Sequence, residues 1–429
     1  MQHAHDDSCC QFDDVRMRGF RQRATVEQAW RWLDERCPAQ GSEFVEVTAA
    51  FGRVLAESVA AAIDVPPFDR SAMDGFAVLG AETTGAGDYN PLALTLIGQS
   101  LPGRPFAGEV LTGTAVRIMT GAPIPKGADA VLPAEFAREV TGQVEFTSSI
   151  APGRNVGRQG EDVSVGQTVL PAARRLRPQD VGLLASLGVC QVSVVRRPRV
   201  RVLATGNELA IAGQSRGPFQ IFDSNSPTLA ALITRDGGEL ESSKLVADDY
   251  ATIKAALIAP GADVILISGG SSVGAEDHAP AVLAEVGDLP IHGIAMRPSS
   301  PTGIGRIGNT LVFLLPGNPV SCLCAYDFFA GRAIRQLGGR SADWPYLRQR
   351  TIVGSKIVSA VGRVDYCRVR LETDPRSTSF LLATHPIATS GASILSSTTR
   401  ATGFVIVPAE LEGYAPGTEV EVFLYDPLP

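Results

Sequence analysis

The chain has 429 residues, too many for one ordinary hydrophobic core, so we expect several domains. Its composition, 45% hydrophobic and 19% charged, is typical of a globular protein rather than a disordered one. The net charge of −7 disfavours a nucleic-acid partner, because phosphate backbones are bound by basic faces. An acidic protein can still hold a small phosphorylated anion in a local pocket.

Cysteine spacing and the N-terminal residues bear on the compartment. The seven cysteines contain no Cys-x-x-Cys pair, which disfavours a disulfide framework and a structural zinc site. Residues 1–22 lack the basic start and apolar run of a signal peptide and are predicted to be a disordered tail. No apolar stretch approaches the ~20 residues of a membrane span. We therefore expect a cytoplasmic protein with reduced thiols and no membrane association.

The sequence pattern of the N-terminal half predicts helices on either side of a β-rich module. Residues 24–36 look like an amphipathic helix capped near Thr25, and residues 43–63 suggest another short helical element. Short β-like runs between Gly/Pro turns continue to about residue 150. A strand and then a helix follow, with Pro178 in the first turn and Gly188 at the end. The β-rich module is therefore interpreted as an insertion.

The C-terminal half predicts two further domains. Strands and helices alternate over residues 198–336, which is typical of a doubly wound α/β fold with a largely parallel sheet. The β-runs of residues 345–429 predict a small sandwich or barrel. The predicted fold class is thus multidomain α/β. Its parts are the tail (1–22), a discontinuous N-terminal linking domain (23–63 and 150–196), a β-rich inserted domain (64–149), the α/β domain (197–340) and a C-terminal β domain (341–429).

Four loops at the ends of predicted strands are candidates for a binding site. They cover residues 205–208, 268–277, 295–303 and 315–321, and they are rich in glycine, serine and proline. Ligands of doubly wound sheets bind at the carboxyl ends of the strands, and glycine lets backbone N–H groups approach an anion. These loops therefore favour a phosphate or another oxyanion. The alternative is that they merely turn tightly.

Several acids stand close to these loops and suggest a second component. They are Glu208, Asp248, Asp249, Glu276 and Asp277. Each could be a solvated surface residue, but carboxylates beside a phosphate make sense where a divalent cation bridges the two. Oxygen-only ligands favour Mg²⁺ over zinc. No nucleophilic triad is visible, and His278, His292 and His385 are interpreted as structural.

Seven stretches, taken together and in this order, resemble the molybdopterin molybdenumtransferase family, the bacterial MoeA type that includes the E domain of gephyrin. They are "DVPPFDRSAMDGFAV" (64–78), "RIMTGAPIPKGADAVLP" (117–133), "GRNVGRQGEDV" (153–163), "TGNEL" (205–209), "FDSN" (222–225), "SGGSSVGAED" (268–277) and "LPGNPVS" (315–321). The resemblance covers nearly the whole chain after residue 22. It implies that the α/β domain is MogA-like and binds molybdopterin.

The resemblance also implies an activity and its partners. The expected reaction inserts molybdate into adenylylated molybdopterin, releases AMP and depends on Mg²⁺. The expected assembly is a homodimer of four-part protomers with the site between subunits. The substrate would be handed over by the molybdopterin adenylyltransferase. Metal-bound carboxylates would stabilise charge as the phosphoanhydride is cleaved.

Particular residues are carried over by their positions in these motifs and loops. The catalytic set is Asp74, Thr120, Asp162, Glu208 and Asp277, of which the first three would meet the other subunit's sheet across the dimer interface. The metal set is Glu208, Asp249 and Asp277. The substrate-binding set is Thr205, Gly206, Ser268, Gly269, Gly270, Ser272, Gly274, Arg297, Ser300, Pro316, Gly317, Asn318, Pro319, Arg363, Arg368 and Ser393. Capping of turns is the alternative role for Asp74, Thr120 and Asp162.

The chain departs from the family pattern at three places. Residues 297–301, Arg-Pro-Ser-Ser-Pro, stand where the family has Lys-Pro-Gly-Lys-Pro, so Arg297 replaces an ammonium with a planar fork and Ser300 lacks a charge. Asn207 replaces an aspartate, and the usual Gly-Ser-Gly near the C-terminus reads Gly391-Ala392-Ser393. We therefore expect an oxyanion pocket with less charge than usual.

Three hypotheses remain open at this point. The first is the transferase. The second is a non-catalytic carrier or scaffold that binds molybdopterin but has lost efficient molybdate insertion, which the altered loop 297–301 motivates and the retained Glu208 and Asp277 oppose. The third is the same pocket serving another oxyanion, such as tungstate.

Overall fold

The computed structural model describes residues 20, 22–270, 277–373, 382–388 and 392–426. The helices are α1 (Val26–Asp34), α2 (Pro178–Ser186), α3 (Asn225–Asp236), α4 (Tyr250–Ile258), α5 (Ala279–Val286), α6 (Pro319–Ala325), α7 (Gly331–Leu337) and α8 (Ser396–Thr399). The strands are β1 (Ser42–Glu46), β2 (Val59–Ala60), β3 (Arg70–Ser71), β4 (Gly75–Val78), β5 (Leu92–Ser100), β6 (Thr114–Ile118), β7 (Ala130–Pro133), β8 (Ala137–Val140), β9 (Gln143–Phe146), β10 (Val156–Gly157), β11 (Thr168–Leu170), β12 (Gln191–Val195), β13 (Arg199–Thr205), β14 (Leu209–Ala210), β15 (Ile221–Phe222), β16 (Glu239–Val246), β17 (Val264–Ser268), β18 (Asp288–His292), β19 (Met296–Arg297), β20 (Gly303–Ile307), β21 (Thr310–Leu315), β22 (Leu347–Val353), β23 (Ile357–Val358), β24 (Val364–Glu372), β25 (Ala383–Ala388), β26 (Gly403–Val407), β27 (Gly413–Tyr414) and β28 (Glu419–Leu424).

The chain folds into two compact units. The small unit comprises residues 44–194, and the large unit comprises the described residues up to 43 together with those from 195 onward. The finer five-part division that the sequence suggests stays a prediction. Within the described ranges, none of the helices combines the length and the apolar character that a bilayer crossing requires.

The small unit is built around a six-stranded sheet with the order β7-β4-β6-β5-β9-β8. One face buries Phe76, Leu132 and Phe146, and the other buries Val116 and Ile118. Burial of both faces explains why these strands read as apolar runs rather than as a strict alternation. The predicted β-rich character of this region is confirmed.

The prediction of a helical element within residues 43–63 is wrong. Only a single 3₁₀ turn forms there, at Val47–Ala49. Gly52 adopts a φ of +75°, which ends the turn, and the chain then runs extended. In that conformation Val54 and Leu55 form isolated β-bridges and are buried, so their burial does not need a helix.

The large unit contains the predicted doubly wound α/β layer. Its sheet has the order β16-β13-β17-β21-β20-β18, in which the first four strands are parallel and β20 runs antiparallel to both neighbours. Helices α3, α6 and α7 pack on one face, and α4 and α5 pack on the other. Strand β20 was not predicted, because its sequence Gly-Ile-Gly-Arg-Ile has two glycines that weaken the strand signal.

The C-terminal strands close into a barrel. The order β24-β25-β22-β28-β26 is completed by pairing of β26 with β24, so five strands form a ring. Val369, Val405 and Val422 are among the buried residues inside it. Of the sandwich and the barrel that the sequence left open, the structure has the barrel. Short strand β19 extends this sheet, with Arg297 paired to Asp365.

Helix α1 begins where the sequence predicts. Thr25 Oγ1 accepts the N–H of Gln28, and the Gln28 side chain accepts the N–H of Thr25, which completes a capping box. Its apolar residues, including Val26 and Leu33, join the core of the large unit, and Trp30 donates its indole N–H to the carbonyl of Phe328 at 2.8 Å.

An ion-pair cluster anchors α2 in the small unit. Asp180 is only 3% exposed, and its carboxylate accepts hydrogen bonds from the guanidinium groups of Arg177 and Arg174 and from the backbone N–H of Arg177. These bonds, first from Arg177 and then from Arg174, hold the pKa of Asp180 well below its ordinary value.

We predict that Asp180→Asn lowers the free energy of unfolding by about 1–3 kcal/mol at pH 7, because the buried, charged acceptor shared by Arg174 and Arg177 is lost. The folded-state pKa lies below the unfolded-state value of about 4, so the difference from wild type should be full above pH 4 and shrink as the pH falls further. Urea unfolding between pH 7 and 3 measures this difference in stability.

The control is Asp288→Asn, in an exposed pair with Arg306, which should change stability by less than about 0.5 kcal/mol. An equal loss in both variants, or a difference independent of pH, would contradict this role.

Candidate functional site

The carboxyl ends of three neighbouring parallel strands form one edge of the large unit's sheet. β13, β17 and β21 end at Thr205, Ser268 and Leu315, and the register pairs Ala204 with Ser268 and Ser268 with Leu315. Three of the four predicted loops therefore begin side by side, as expected for parallel strands.

The fourth loop reaches the same edge by a different route. The stretch Ile291–Met296 is broken at Gly293, which has a φ of +92°: β18 ends at His292, and β19 belongs to the barrel sheet. Because His292 pairs with Gly303, and Gly303 with Leu314, residues 293–302 connect β18 to β20 at this edge.

Two glycines after β17 are required by close packing against Thr205. A Cβ on Gly269 would lie 2.2 Å from the carbonyl oxygen of Thr205, and one on Gly270 would lie 2.9 Å from its Oγ1. Both glycines also have positive φ, +96° and +56°. The hydroxyl of Thr205 is buried and makes no hydrogen bond within the described part of the chain. The glycine-rich loop thus lies directly on the end of β13, with a spare polar group beneath it.

Asn225, at the start of α3, ties two strand ends together. Its side-chain amide donates at 2.7 Å both to Ser268 Oγ and to the carbonyl oxygen of Gly317. Asp223 Oδ1 in turn accepts the N–H groups of Asn225 and Ser226, which fixes the start of the helix. Sequence analysis included this residue only as part of the "FDSN" stretch. The three polar residues Asp-Ser-Asn before an apolar helix were the available signal.

A cavity of about 870 Å³ opens beside the loop that follows β21. It lies between residues 294–301, the start of α6 and residues 360–368 at the entry of the barrel. Six predicted binding residues line it: Arg297, Ser300, Pro316, Asn318, Arg363 and Arg368. The structure therefore gathers into one site residues that are up to 71 positions apart, 297 to 368.

The cavity is strongly cationic. Arg23 joins the three predicted arginines, and the described residues that line the cavity include no carboxylate. Cys367 also lines it, and burial raises the pKa of that thiol to about 11, so the sulfur is neutral at pH 7. Arginine forks with hydroxyl and amide groups are the donors that bind oxyanions. Sequence reasoning missed Arg23, which lies outside every quoted motif.

One buried carboxylate stands behind these arginines. Asp365 accepts hydrogen bonds on Oδ2 from Arg297 Nη2 at 2.6 Å and from Ser359 Oγ at 2.7 Å. Its Oδ1 is 3.6 Å from Arg363 Nε. Asp365 was not predicted as a site residue, because an acid within a β-run carries no motif.

Two of the predicted substrate-binding residues, Asn318 and Ser393, differ in their relation to the cavity. Asn318 stands at the N-cap of α6 and Pro319 opens that helix, but the Asn318 side chain makes no capping hydrogen bond and instead lines the cavity. Near the C-terminus the cavity is lined by Ala392, whereas Ser393 is exposed and is not among the lining residues.

The predicted metal ligands follow different strands of the same edge. The carboxylate of Glu208 lies against Gly206, and that of Asp249 accepts the N–H of Thr252 as the N-cap of α4. Hydrogen bonding from the Thr252 side chain and then from its N–H holds the pKa of Asp249 below the ordinary value. Asp277 is half-buried just before α5. Among the described residues, no three Asp, Glu, His or Cys side chains gather in a cluster that could hold a metal ion by themselves.

The small unit brings together two of its three predicted catalytic residues. Asp74 Oδ1 accepts both the hydroxyl and the backbone N–H of Thr120, at 2.7 and 2.6 Å. These two hydrogen bonds lower the pKa of Asp74, so this exposed carboxylate is ionised at neutral pH. Asp162 is exposed, with its backbone N–H bonded to the carbonyl of Val65. Two predicted binding residues, Ser272 and Gly274, lie outside the described residues, as does Glu276.

Comparison with known proteins identifies the family. Three family models match in order: MoeA N-terminal region (domain I and II) over residues 24–188, probable molybdopterin binding domain over 201–336, and MoeA C-terminal region (domain IV) over 350–425. Together they cover nearly all of the described chain. The chain belongs to the MoeA family.

Individual relatives agree with this assignment. Molybdopterin molybdenumtransferase 2 of Mycobacterium tuberculosis is 35% identical over 93% of this chain and 99% of its own. Molybdopterin molybdenumtransferase of Haemophilus influenzae is 36% identical over 80% of this chain and 85% of its own. The crystal structure of the molybdopterin biosynthesis MoeA protein from Pyrococcus horikoshii matches with a TM-score of 0.78 and 32% identity, covering 95% of this chain and all of that one.

We predict that Gly269→Ala destabilises the large unit by about 2–5 kcal/mol, because the new methyl group would collide with the Thr205 carbonyl and the backbone would be strained. The matched control is Gly213→Ala, at a similar φ of +88° but with no atom within 4 Å of the new Cβ, which should cost only about 1–2 kcal/mol. Urea unfolding compares the two. Equal losses would mean that backbone conformation, and not the contact with Thr205, fixes this glycine.

Proposed function

We propose that this chain inserts molybdate into adenylylated molybdopterin and releases AMP, acting as an Mg²⁺-dependent homodimer. As a MoeA family member with molybdenumtransferase relatives about 35% identical over most of its length, the chain is a transferase of molybdenum cofactor biosynthesis. The finer assignment of substrates rests on one observation: the cavity at the sheet edge is lined by four arginines.

The cavity suits molybdate by charge and by donor type. Molybdate is a dianion, and Arg297, Arg363 and Arg368 offer charge-assisted N–H donors around one space. Ser300 and Asn318 add neutral donors. Because the lining is cationic although the chain as a whole has a net charge of −7, the local field and not the net charge attracts the anion.

The neighbouring strand ends suit the phosphate groups of the pterin nucleotide. Gly270, just after β17, brings backbone close to this edge, whereas the N–H of Gly269 donates to the carbonyl of Leu315. The hydroxyl of Thr205 is buried and makes no hydrogen bond within the described part of the chain. We assign the phosphoanhydride to this part of the edge and molybdate to the cavity next to it. The two regions share the loop after β21, since Gly317 lies close to Gly269.

The acids of the same edge suit Mg²⁺ in the chemistry of their donors. Magnesium usually takes one or two carboxylates together with substrate phosphates, so a complete protein-only cluster is not required. We propose that Glu208 and Asp277 hold the ion with the substrate, and that Asp249 mainly caps α4. When bound, the ion would neutralise charge on the phosphoanhydride as AMP departs.

The small unit is proposed to serve the site of the other protomer. Asp74 is ionised, exposed and held rigidly by Thr120, which is the state expected of a group that meets a ligand rather than a core. With Asp162 it would approach the partner's sheet edge across the homodimer. Hand-over of the substrate by a molybdopterin adenylyltransferase and a cytoplasmic location complete the proposal.

The direct test follows AMP release when the purified protein is incubated with adenylylated molybdopterin, Mg²⁺ and molybdate. We predict metal-dependent release by the wild type and a loss of at least a hundredfold in Asp277→Ala, with the far-UV spectrum and the melting temperature unchanged. The matched control is Asp288→Ala, an exposed acid at the opposite edge of the same sheet, which should keep full activity. Unchanged turnover in Asp277→Ala would remove that residue from the metal site.

Other outcomes of this assay would replace the proposal. Tight binding of the pterin without AMP release would identify a carrier or scaffold. Release with tungstate but not with molybdate would identify a different oxyanion substrate.

We predict that Ser300→Lys lowers the molybdate concentration for half-maximal rate about tenfold, because an ammonium is added to the lining of the cavity. The initial rate of AMP release is measured against molybdate. Ser186→Lys, at an exposed position in the small unit, adds the same net charge and should shift nothing. If neither variant shifts the curve, Ser300 does not face the anion.

A further inference from the structure

A buried acid outside the seven quoted stretches, Asp365, supports the arginine-lined cavity. Asp365 is 1% exposed and lies behind the lining instead of in it. Its Oδ2 accepts two short hydrogen bonds, from Arg297 Nη2 and from Ser359 Oγ. A carboxylate buried to this extent is costly unless it is paired, so the contact with Arg297 is a built feature of the site.

Backbone pairing places the two residues side by side. β19 contributes only Met296 and Arg297, and the register sets Arg297 directly beside Asp365 on β24. The backbone N–H of Val364 also donates to the carbonyl of Ala295 at 2.9 Å. The ion pair is therefore fixed by main-chain geometry at both ends, unlike a surface pair between two mobile side chains.

We propose that Asp365 is a positioning residue, which orients the Arg297 guanidinium so that its remaining N–H groups face an oxyanion in the cavity. This inference rests on the proposed oxyanion site. The planar fork of arginine carries five N–H donors in a fixed arrangement, so one edge can hold Asp365 while another meets a ligand. Lysine is a single point charge at the end of a flexible chain and could not divide these tasks in the same way.

The second oxygen of Asp365 lies near a second lining residue. Oδ1 is 3.6 Å from Arg363 Nε, too far for a hydrogen bond, and both atoms are buried with no hydrogen-bond partner among the described residues. The carboxylate thus has its short contacts with Arg297 and Ser359 and only a longer one with Arg363. We therefore assign the positioning effect to Arg297.

Positioning and simple charge predict opposite results for one substitution. Asp365→Asn removes a negative charge from the neighbourhood of an anion, which by Coulomb attraction alone should tighten anion binding. If Asp365 orients Arg297, the same change should weaken binding, because the guanidinium loses its charged anchor and rotates away from the ligand. The sign of the change separates the two explanations.

The test measures molybdate binding by isothermal titration calorimetry with the full chain, at pH 7. We expect Asp365→Asn to raise the Kd about tenfold, the lower end of the range found when partners that orient ligating side chains are removed. The matched control is Asp34→Asn, which breaks a two-bond pair with Arg332 away from the cavity and should leave the Kd unchanged. An unchanged or lower Kd in Asp365→Asn would overturn the positioning role.

A milder variant keeps the inference falsifiable if Asp365→Asn does not fold, and a double variant tests whether Asp365 acts through Arg297. Ser359→Ala removes the hydroxyl that bonds to the same oxygen and should raise the Kd two- to threefold; no rise would count against the role. In an Arg297→Lys background the Asp365→Asn change should alter the Kd by less than threefold, since the oriented guanidinium is gone. A full tenfold effect in that background would show that Asp365 acts elsewhere.

Kinetics distinguish this inference from the proposed function. In the AMP-release assay, Asp365→Asn should raise the KM for molybdate and leave the KM for adenylylated molybdopterin unchanged. If the wild type itself binds no molybdate, the oxyanion site and the positioning role both fail. If the wild type binds molybdate and the variant binds it equally well, only the positioning role fails.

Discussion

The two hydrogen bonds from the Asn225 amide hold the ends of β17 and β21 at a fixed separation. On one side of this link lies the glycine-rich loop that packs on Thr205, and on the other lies the loop that leads to the cavity and into α6. A buried amide with both N–H groups used tolerates little displacement, because a broken bond would leave polar atoms unsatisfied in the interior. The glycine-rich strand end and the arginine-lined cavity are therefore parts of one rigid arrangement.

The cavity depends on a chain segment that leaves the sheet. After β18 the backbone turns at Gly293, adds β19 to the barrel and returns as β20. Residues 294–301 thereby face residues 360–368 across the cavity, and both segments bring arginines. Repulsion between these arginines is reduced because the carboxylate of Asp365 lies next to both Arg297 and Arg363. Packing of the α/β layer on the barrel thus creates the electrostatic feature to which we assign function.

The sequence predicted best what local chemistry determines. The helix cap near Thr25, the Pro178 start of α2 and the alternation of residues 198–336 each depend on a few neighbouring residues, and all three agree with the structure. Prediction from the sequence failed where contacts with distant residues determine the local conformation. Residues 54 and 55 are extended because they form bridges with residues 175 and 194. Asp365 and Arg23 could not be recognised as site residues for the same reason, since their significance arises only when the barrel and the N-terminal segment reach the cavity. The individual roles of the motif residues stay predictions, although Asp74 and Thr120 are in contact and six substrate-binding residues share the cavity.

The departure of residues 297–301 from the family pattern can now be considered in its surroundings. A count of charges in the motif treats Ser300 as a loss and Arg297 as a neutral exchange. Arg23 adds a further cation to the cavity, and Asp365 partly neutralises the charge of Arg297. The number of cations in the motif is therefore a poor measure of the field that a ligand meets. What an oxyanion meets is the set of N–H groups turned toward it, at distances fixed by the partners behind them. The field of an arginine anchored by a buried carboxylate is partly neutralised, but its N–H groups gain a defined direction. For the tetrahedral anion that we propose to be held beside a reacting phosphate, direction is the more useful of the two.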